Sequence, residues 1–156
     1  KEVILEIGES DYVEKNEVWS NFNHQYDKKP RILNHVKWFQ PSLGWSSGPT
    51  ALRMACERKF TDIYILGFDL SEYDKPINNI YKGTDNYLPA SAKGFNPVNW
   101  IGQMSEIFDK YKNVTFYWVD CKVSGGQTWH GSSLKDYHSN VRFLTKGELC
   151  DTINIL

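Results

Sequence analysis

The chain has 156 residues, enough for one domain that buries roughly 68–70% of its unfolded surface, and its 40% hydrophobic and 24% charged content excludes a disordered chain. Eighteen Lys and Arg against nineteen Asp and Glu leave a net charge of −1, a balance that argues against a duplex-binding surface but permits a small phosphate pocket. No apolar run reaches the roughly 18 residues of a membrane span.

In chain order, Lys1 to Ile7 alternates apolar and charged residues and reads as a half-exposed strand. The polar stretch from Gly8 to Lys29 has room for a short helix around Tyr12 to Phe22, and Arg31 to Val36 reads as a second strand. Trp38 to Trp45, with Pro41 and Gly44, is a loop. Ser46-Ser47-Gly48-Pro49-Thr50 then opens a helix expected to end near Phe60. Asp62 to Leu66 is β-branched and apolar, as a central parallel strand is, and Gly67-Phe68-Asp69 closes it.

Leu70 to Asn96 is long and rich in Asn, Tyr, Gly and Asp, and loops of that length tend to carry function. Pro97 to Lys112 is a helix with Trp100, Ile101, Met104, Ile107, Phe108 and Tyr111 on one stripe. Asn113 to Val119 is a buried strand, Asp120 to Ser132 a second loop, Val141 to Leu144 a short strand and Lys146 to Ile153 a terminal helix. The alternation predicts a single α/β domain over residues 1–156, a sandwich with a mostly parallel sheet. Ligands of such sheets sit outside the carboxyl ends of the strands, where loops 38–48, 67–96 and 120–132 begin.

Three widely spaced cysteines (Cys56, Cys121, Cys150) encode neither a disulfide framework nor a zinc site, and with no charged-then-apolar stretch at the start of the sequence no signal peptide is expected. A reducing, cytoplasmic setting is the expectation. Aromatics at 15%, with six Trp and nine Tyr, are the compositional oddity, an excess that usually fills a core or an oligomer interface and less often stacks on ligands.

Several groups are candidates for chemistry. Ser46, Ser47, Gly48 and Thr50 at a helix amino end can bind a phosphate through backbone N–H groups and hydroxyls, helped by the positive end of the helix dipole, though Ser and Thr are also ordinary caps there. No lysine follows in the position a P-loop requires. Gly67 and Asp69 at a strand's carboxyl end can meet a ribose hydroxyl or supply a base, with a plain turn as the alternative. Tyr73, Tyr81 and Tyr87 can donate to a leaving phosphate, or simply anchor their loop. The four histidines show no metal-ligand spacing. His35 reads as structural within its strand, and His130, after Gly125-Gly126 and Trp129, as the titrating group.

The block WSSGPTALRMACERKFTDIYILGFDL, residues 45–70, resembles a signature of the bacterial lipo-oligosaccharide sialyltransferases and of the related 6-hydroxymethylpterin pyrophosphokinase-like proteins. Residues 96–119 and 139–149 are similar to the helices and strands that follow in that family. The resemblance implies a Rossmann-like three-layer sandwich of the variant GT-A glycosyltransferase type, acting on a nucleotide sugar such as CMP-sialic acid. It implies nucleotide contacts from Ser46, Ser47, Gly48, Gly67 and Asp69, and a leaving phosphate held by Tyr81 and Tyr87, with Tyr73 and Tyr81 as a rival pairing. Without a DxD motif, no obligatory metal is expected.

Two features of the family are not matched. Its opening phosphate loop has only Ile7-Gly8-Glu9-Ser10 here, and Gly94-Phe95-Asn96-Pro97 lacks the catalytic histidine that precedes the family's helix. His130 or Asp69 is then the base to consider. The same gaps, with the short N-terminal half, fit a truncated or minimal form of the family domain. The alternative function is a non-catalytic relic that acts as a structural or partner-binding module.

Overall fold

The computed structural model describes residues 11–20, 35–68, 76–77, 79–85, 87–94, 97–119 and 138–154. The strand expected at 1–7, most of 31–36 and the loop at 120–132 lie outside the described residues. The chain divides into two compact units, Lys1–Ser46 and Ser47–Leu156.

In the first unit, helix α1 is confined to Tyr12–Lys15, and Trp19–Ser20, expected within a longer helix, forms strand β1. The Asn16 side chain donates to the Tyr12 carbonyl at 2.9 Å and its backbone turns extended (φ −133°, ψ 149°), which diverts the chain out of the helix. Strand β2 is Lys37–Trp38, one residue beyond the expected strand and overlapping the expected loop. Its position is set by parallel pairing of Trp19 with Lys37 and Ser20 with Trp38, a constraint that local periodicity does not contain. The rings of Trp19 and Phe39 lie 5.3 Å apart, and Lys37 Nζ sits 5.5 Å over the Trp19 ring. His35 is not a buried strand residue: it stands in an exposed turn, 3.8 Å from Glu14.

The second unit is a parallel α/β layer. Helix α2 spans Ser47–Glu57, strand β3 Asp62–Ile65, helix α3 Val98–Lys110, strand β4 Thr115–Val119, strand β5 Val141–Leu144 and helix α4 Lys146–Asn154. The sheet order is β3-β4-β5, all parallel, with Ile65 opposite Trp118 and Phe116 opposite Val141. Period-2 alternation sends Phe116 and Trp118 to one face, where Phe108 of α3 packs on them, and Met104 and Ile107 of the same helix are also buried. Phe108 contacts Phe116 at 4.7 Å and Trp118 at 6.3 Å, both inclined as aromatic quadrupoles favour. Tyr64 and Tyr117 stack at 4.7 Å on the opposite face. Among the described residues, no helix is long and apolar enough to cross a membrane.

Helix α2 stops through backbone geometry. Lys59 adopts φ 65°, its N–H donates to the Cys56 carbonyl at 2.9 Å, and the Phe60 N–H reaches the Ala55 carbonyl at 3.3 Å. That pair of bonds is a Schellman ending, built here on lysine where glycine is usual. At the end of α3, the Asn140 amide donates to the carbonyls of Phe108 (3.1 Å), Tyr111 (3.2 Å) and Val114 (3.2 Å). One side chain just before β5 therefore ties together the last turn of α3, through the Phe108 carbonyl, and the turn that follows it, where the Tyr111 carbonyl also accepts the Val114 N–H at 3.0 Å.

Candidate functional site

The carboxyl end of β3 leads into Leu66, Gly67 and Phe68. Gly67 has φ 77°, a left-handed conformation that side chains resist, and a Cβ there would meet nothing within 4 Å. Its role is the turn itself. The turn is fixed by the buried Trp118, whose indole N–H donates to the Phe68 carbonyl at 2.8 Å.

Phe68 in turn lays its ring against Gly48 in the first turn of α2. A Cβ at Gly48 would come within 2.6 Å of Phe68 Cε1, so any larger residue there would push that ring aside. The strand's exit and the helix's amino end are thus held together by one aromatic contact. Ser47 is exposed, Gly48 half-buried, and Thr50 buried at 4% exposure. No acidic side chain occupies the first turn of α2, so no carboxylate of its own offsets the positive end of the helix dipole there. Pro49 has no N–H, which leaves its neighbours to supply any backbone donors. Ser46 belongs to the first unit and is half-buried.

The described residues of the long loop are tied by specific turns. Pro76 and Lys93 form an antiparallel bridge, and the Ile77 N–H donates to the Ala92 carbonyl at 2.8 Å, closing the loop at its base. Within it, the Tyr81 N–H donates to Asn79 Oδ1 at 2.9 Å, an Asx turn, and the Thr84 hydroxyl donates to the Tyr81 carbonyl at 2.8 Å. The Tyr87 N–H donates to the Thr84 carbonyl at 3.1 Å, and Gly83, at φ 77°, donates to Leu88 at 2.8 Å. One cluster of turns therefore carries both tyrosines. Tyr81 is 60% exposed and Tyr87 half-buried.

Asp69, Tyr73 and His130 lie outside the described residues. The structure brings Gly67 and Gly48 together through Phe68, and Tyr81 and Tyr87 into one turn cluster. Sequence reasoning passed over Phe68 and Trp118 as site-shaping residues, since their contact depends on a sequence separation of 50 residues. It also passed over His138, buried just before β5, where a lone histidine carries no motif.

Among the described residues, no three His, Cys, Asp or Glu side chains gather where a metal could be held. Cys56 is buried, which pushes its thiol up to about 11, and Cys150 is exposed. No protein-family model, curated protein or solved structure matches the chain.

Proposed function

We propose that the chain is a glycosyltransferase-like protein that binds an activated nucleotide, a nucleotide sugar, at the carboxyl end of its parallel sheet. The reading takes the second unit as a Rossmann-like variant of the GT-A fold, akin to the lipo-oligosaccharide sialyltransferases. The observation that carries it is the junction of Gly67-Phe68 with Gly48 beside a helix amino end that has no carboxylate in its first turn. Such a junction offers backbone donors and a positive dipole end where parallel sheets take their ligands.

In this reading Ser46, Ser47, Gly48 and Thr50 serve the nucleotide with Gly67 and Asp69. Tyr81 and Tyr87 donate hydrogen bonds to the leaving phosphate, and His130 or Asp69 takes the acceptor's proton. A second reading, a non-catalytic module that works through partner or self-association, draws on the same contact: the Phe68 ring covers Gly48, and helix-to-strand packing alone is enough to require glycine there.

Thermal melting with CMP, UMP, UDP, GDP, CMP-sialic acid and ATP, each with and without Mg²⁺, separates the two. A ligand at a hundred times its Kd adds about 2.7 kcal/mol, several degrees for a domain of this size. A selective shift, lost in a Tyr81→Phe, Tyr87→Phe double variant, supports the transferase. Flat curves together with a stable oligomer in light scattering support the module.

A further inference from the structure

His138 lies directly before β5 with its ring buried at 4% exposure and edge-on to Phe108, the centroids 5.3 Å apart. Its Nε2 is 3.3 Å from Ser105 Oγ, while Nδ1 is 3.4 Å from Asp109 Oδ1 and makes no hydrogen bond. Ser105 and Asp109 stand one turn apart on α3. These residue types match a nucleophilic triad, but the interior of a helix leaves no free backbone N–H for an oxyanion, and Nδ1 lacks the bond that orients a catalytic base.

What the cluster does contain is a buried imidazole with one nitrogen unsatisfied. Two residues on, Asn140 bonds to the end of the same helix. His138 and Asn140 are therefore two neighbouring staples between the start of β5 and α3, and only the first can titrate.

We propose that His138 is a proton-operated latch: neutral, it holds the start of β5 against Ser105 and Phe108, and protonated, it releases that junction from α3 while Asn140 stays bound. Independent of any nucleotide, this assigns the unit a conformational response to mild acid. Protonation places a charge and a second N–H in a site buried from water and walled on one side by the Phe108 ring. The nearest opposite charge, Asp109, is 62% exposed, and its Oδ1 already accepts Lys112 Nζ at 2.6 Å. The Lys112 ammonium also opposes an imidazolium. Asp109 and Lys112 are the charged groups that act on His138 among the described residues.

Burial outweighs the attraction of Asp109 and holds His138 below the ordinary 6.5. The unfolded chain then takes up the proton first. Stability is complete above about 6.5 and is lost as pH falls from there through the lower, folded value. The folded-to-unfolded ratio drops about tenfold for each unit of that depression.

The test uses the full 156-residue chain. NMR titration is expected to place the His138 imidazole below 6.5, assigned by the loss of its signal in His138→Gln. The wild type is expected to melt lower as pH falls from 7 toward 5. Over the same range the Val141 amide, which donates to the His138 carbonyl, loses exchange protection after correction for intrinsic rates. In His138→Gln, which keeps a polar group toward Ser105 but cannot titrate, this pH-dependent loss disappears.

Asp109→Asn is expected to lower the His138 titration further and Lys112→Met to raise it. Both leave the imidazole in place, so they decide the matter even if His138→Gln fails to fold. A His138 titration at or above 6.5, or unchanged Val141 protection while His138 titrates, overturns the latch.

Discussion

Asn140→Asp exchanges an amide for a carboxyl of nearly the same shape, at a position 9% exposed. In the wild type two N–H protons serve three carbonyls at 3.1 to 3.2 Å. Losing them forfeits about 1 kcal/mol of net stability per proton and takes a donor from the buried Phe108 carbonyl, a total of about 2–4 kcal/mol, while the Tyr111 carbonyl keeps the Val114 N–H. The introduced carboxyl adds a second cost, because its ionised form would face carbonyl oxygens in a dry site. Buried carboxyls rise by up to about 3 units above 3.9, and each unit costs about 1.4 kcal/mol once the pH exceeds the folded value. A folded value raised above the unfolded one makes the contribution complete below about 3.9 and progressively lost as pH climbs through the folded value. The gap between variant and wild type therefore widens from acid to neutral pH.

At neutral pH the total approaches the 5–15 kcal/mol of a typical domain, so the variant is near its unfolding threshold. Urea denaturation followed by circular dichroism at pH 4.5 and 7.5 measures both parts, with Asn140→Ala as the reference that lacks the titrating group. An Asn140→Asp loss under 1 kcal/mol at pH 7.5 would refute the capping role. A loss equal to that of Asn140→Ala at both pH values would refute the dry, carbonyl-lined site.

Lys59→Gly removes the strain of a left-handed lysine at the end of α2 and is expected to stabilise by about 0.5–1 kcal/mol, read as a higher urea midpoint. Gly48→Ala forces the Phe68 ring off the first turn of α2 and costs about 1–3 kcal/mol; adding Phe68→Leu should recover part of the loss if the ring is the obstacle. With Ellman's reagent at pH 7.5, Cys150 reacts at once and Cys56 only on unfolding, since Cys56 is buried and its thiol is pushed up to about 11. Glu148 and Thr145 form a reciprocal cap on α4, the Thr145 N–H donating to Glu148 Oε2 at 2.7 Å and holding that carboxyl below its ordinary range. Glu148 thus stabilises above the ordinary carboxylate range and loses this as pH falls through the lowered value, and Glu148→Gln, which cannot titrate, should flatten that acid limb in urea titrations.

The second unit was the more legible part of the fold. The apolar stripe of α3, the continuous apolar run of β4 and the boundaries of β5 are local patterns, and each forms within about two residues of where periodicity places it. In the first unit, β1 and β2 have two residues each, so their position is set by mutual pairing that no window of sequence displays. The end of α2 was blurred for a related reason: Lys59 occupies a glycine's conformation without being glycine. At the site, Gly48 and Gly67 announced special backbone positions. The sequence could not say that the first is required by the Phe68 ring and the second by its own φ.

The parallel register of the sheet also sets an order of events. Tyr117 meets Asp62 across 55 positions of chain, and Asn140 reaches Val114 across 26. Neither edge of β4 can be completed by its immediate neighbours, so closure of long loops must precede any gain from pairing, and folding belongs to the slow, millisecond-to-second regime of non-local sheets. During synthesis, β4 would emerge from the ribosome with β3 already made and its second partner still untranslated. A stalled chain ending between Val119 and Val141 would expose one whole edge of its most apolar strand, and that interval is where chaperone capture or misassembly is most probable.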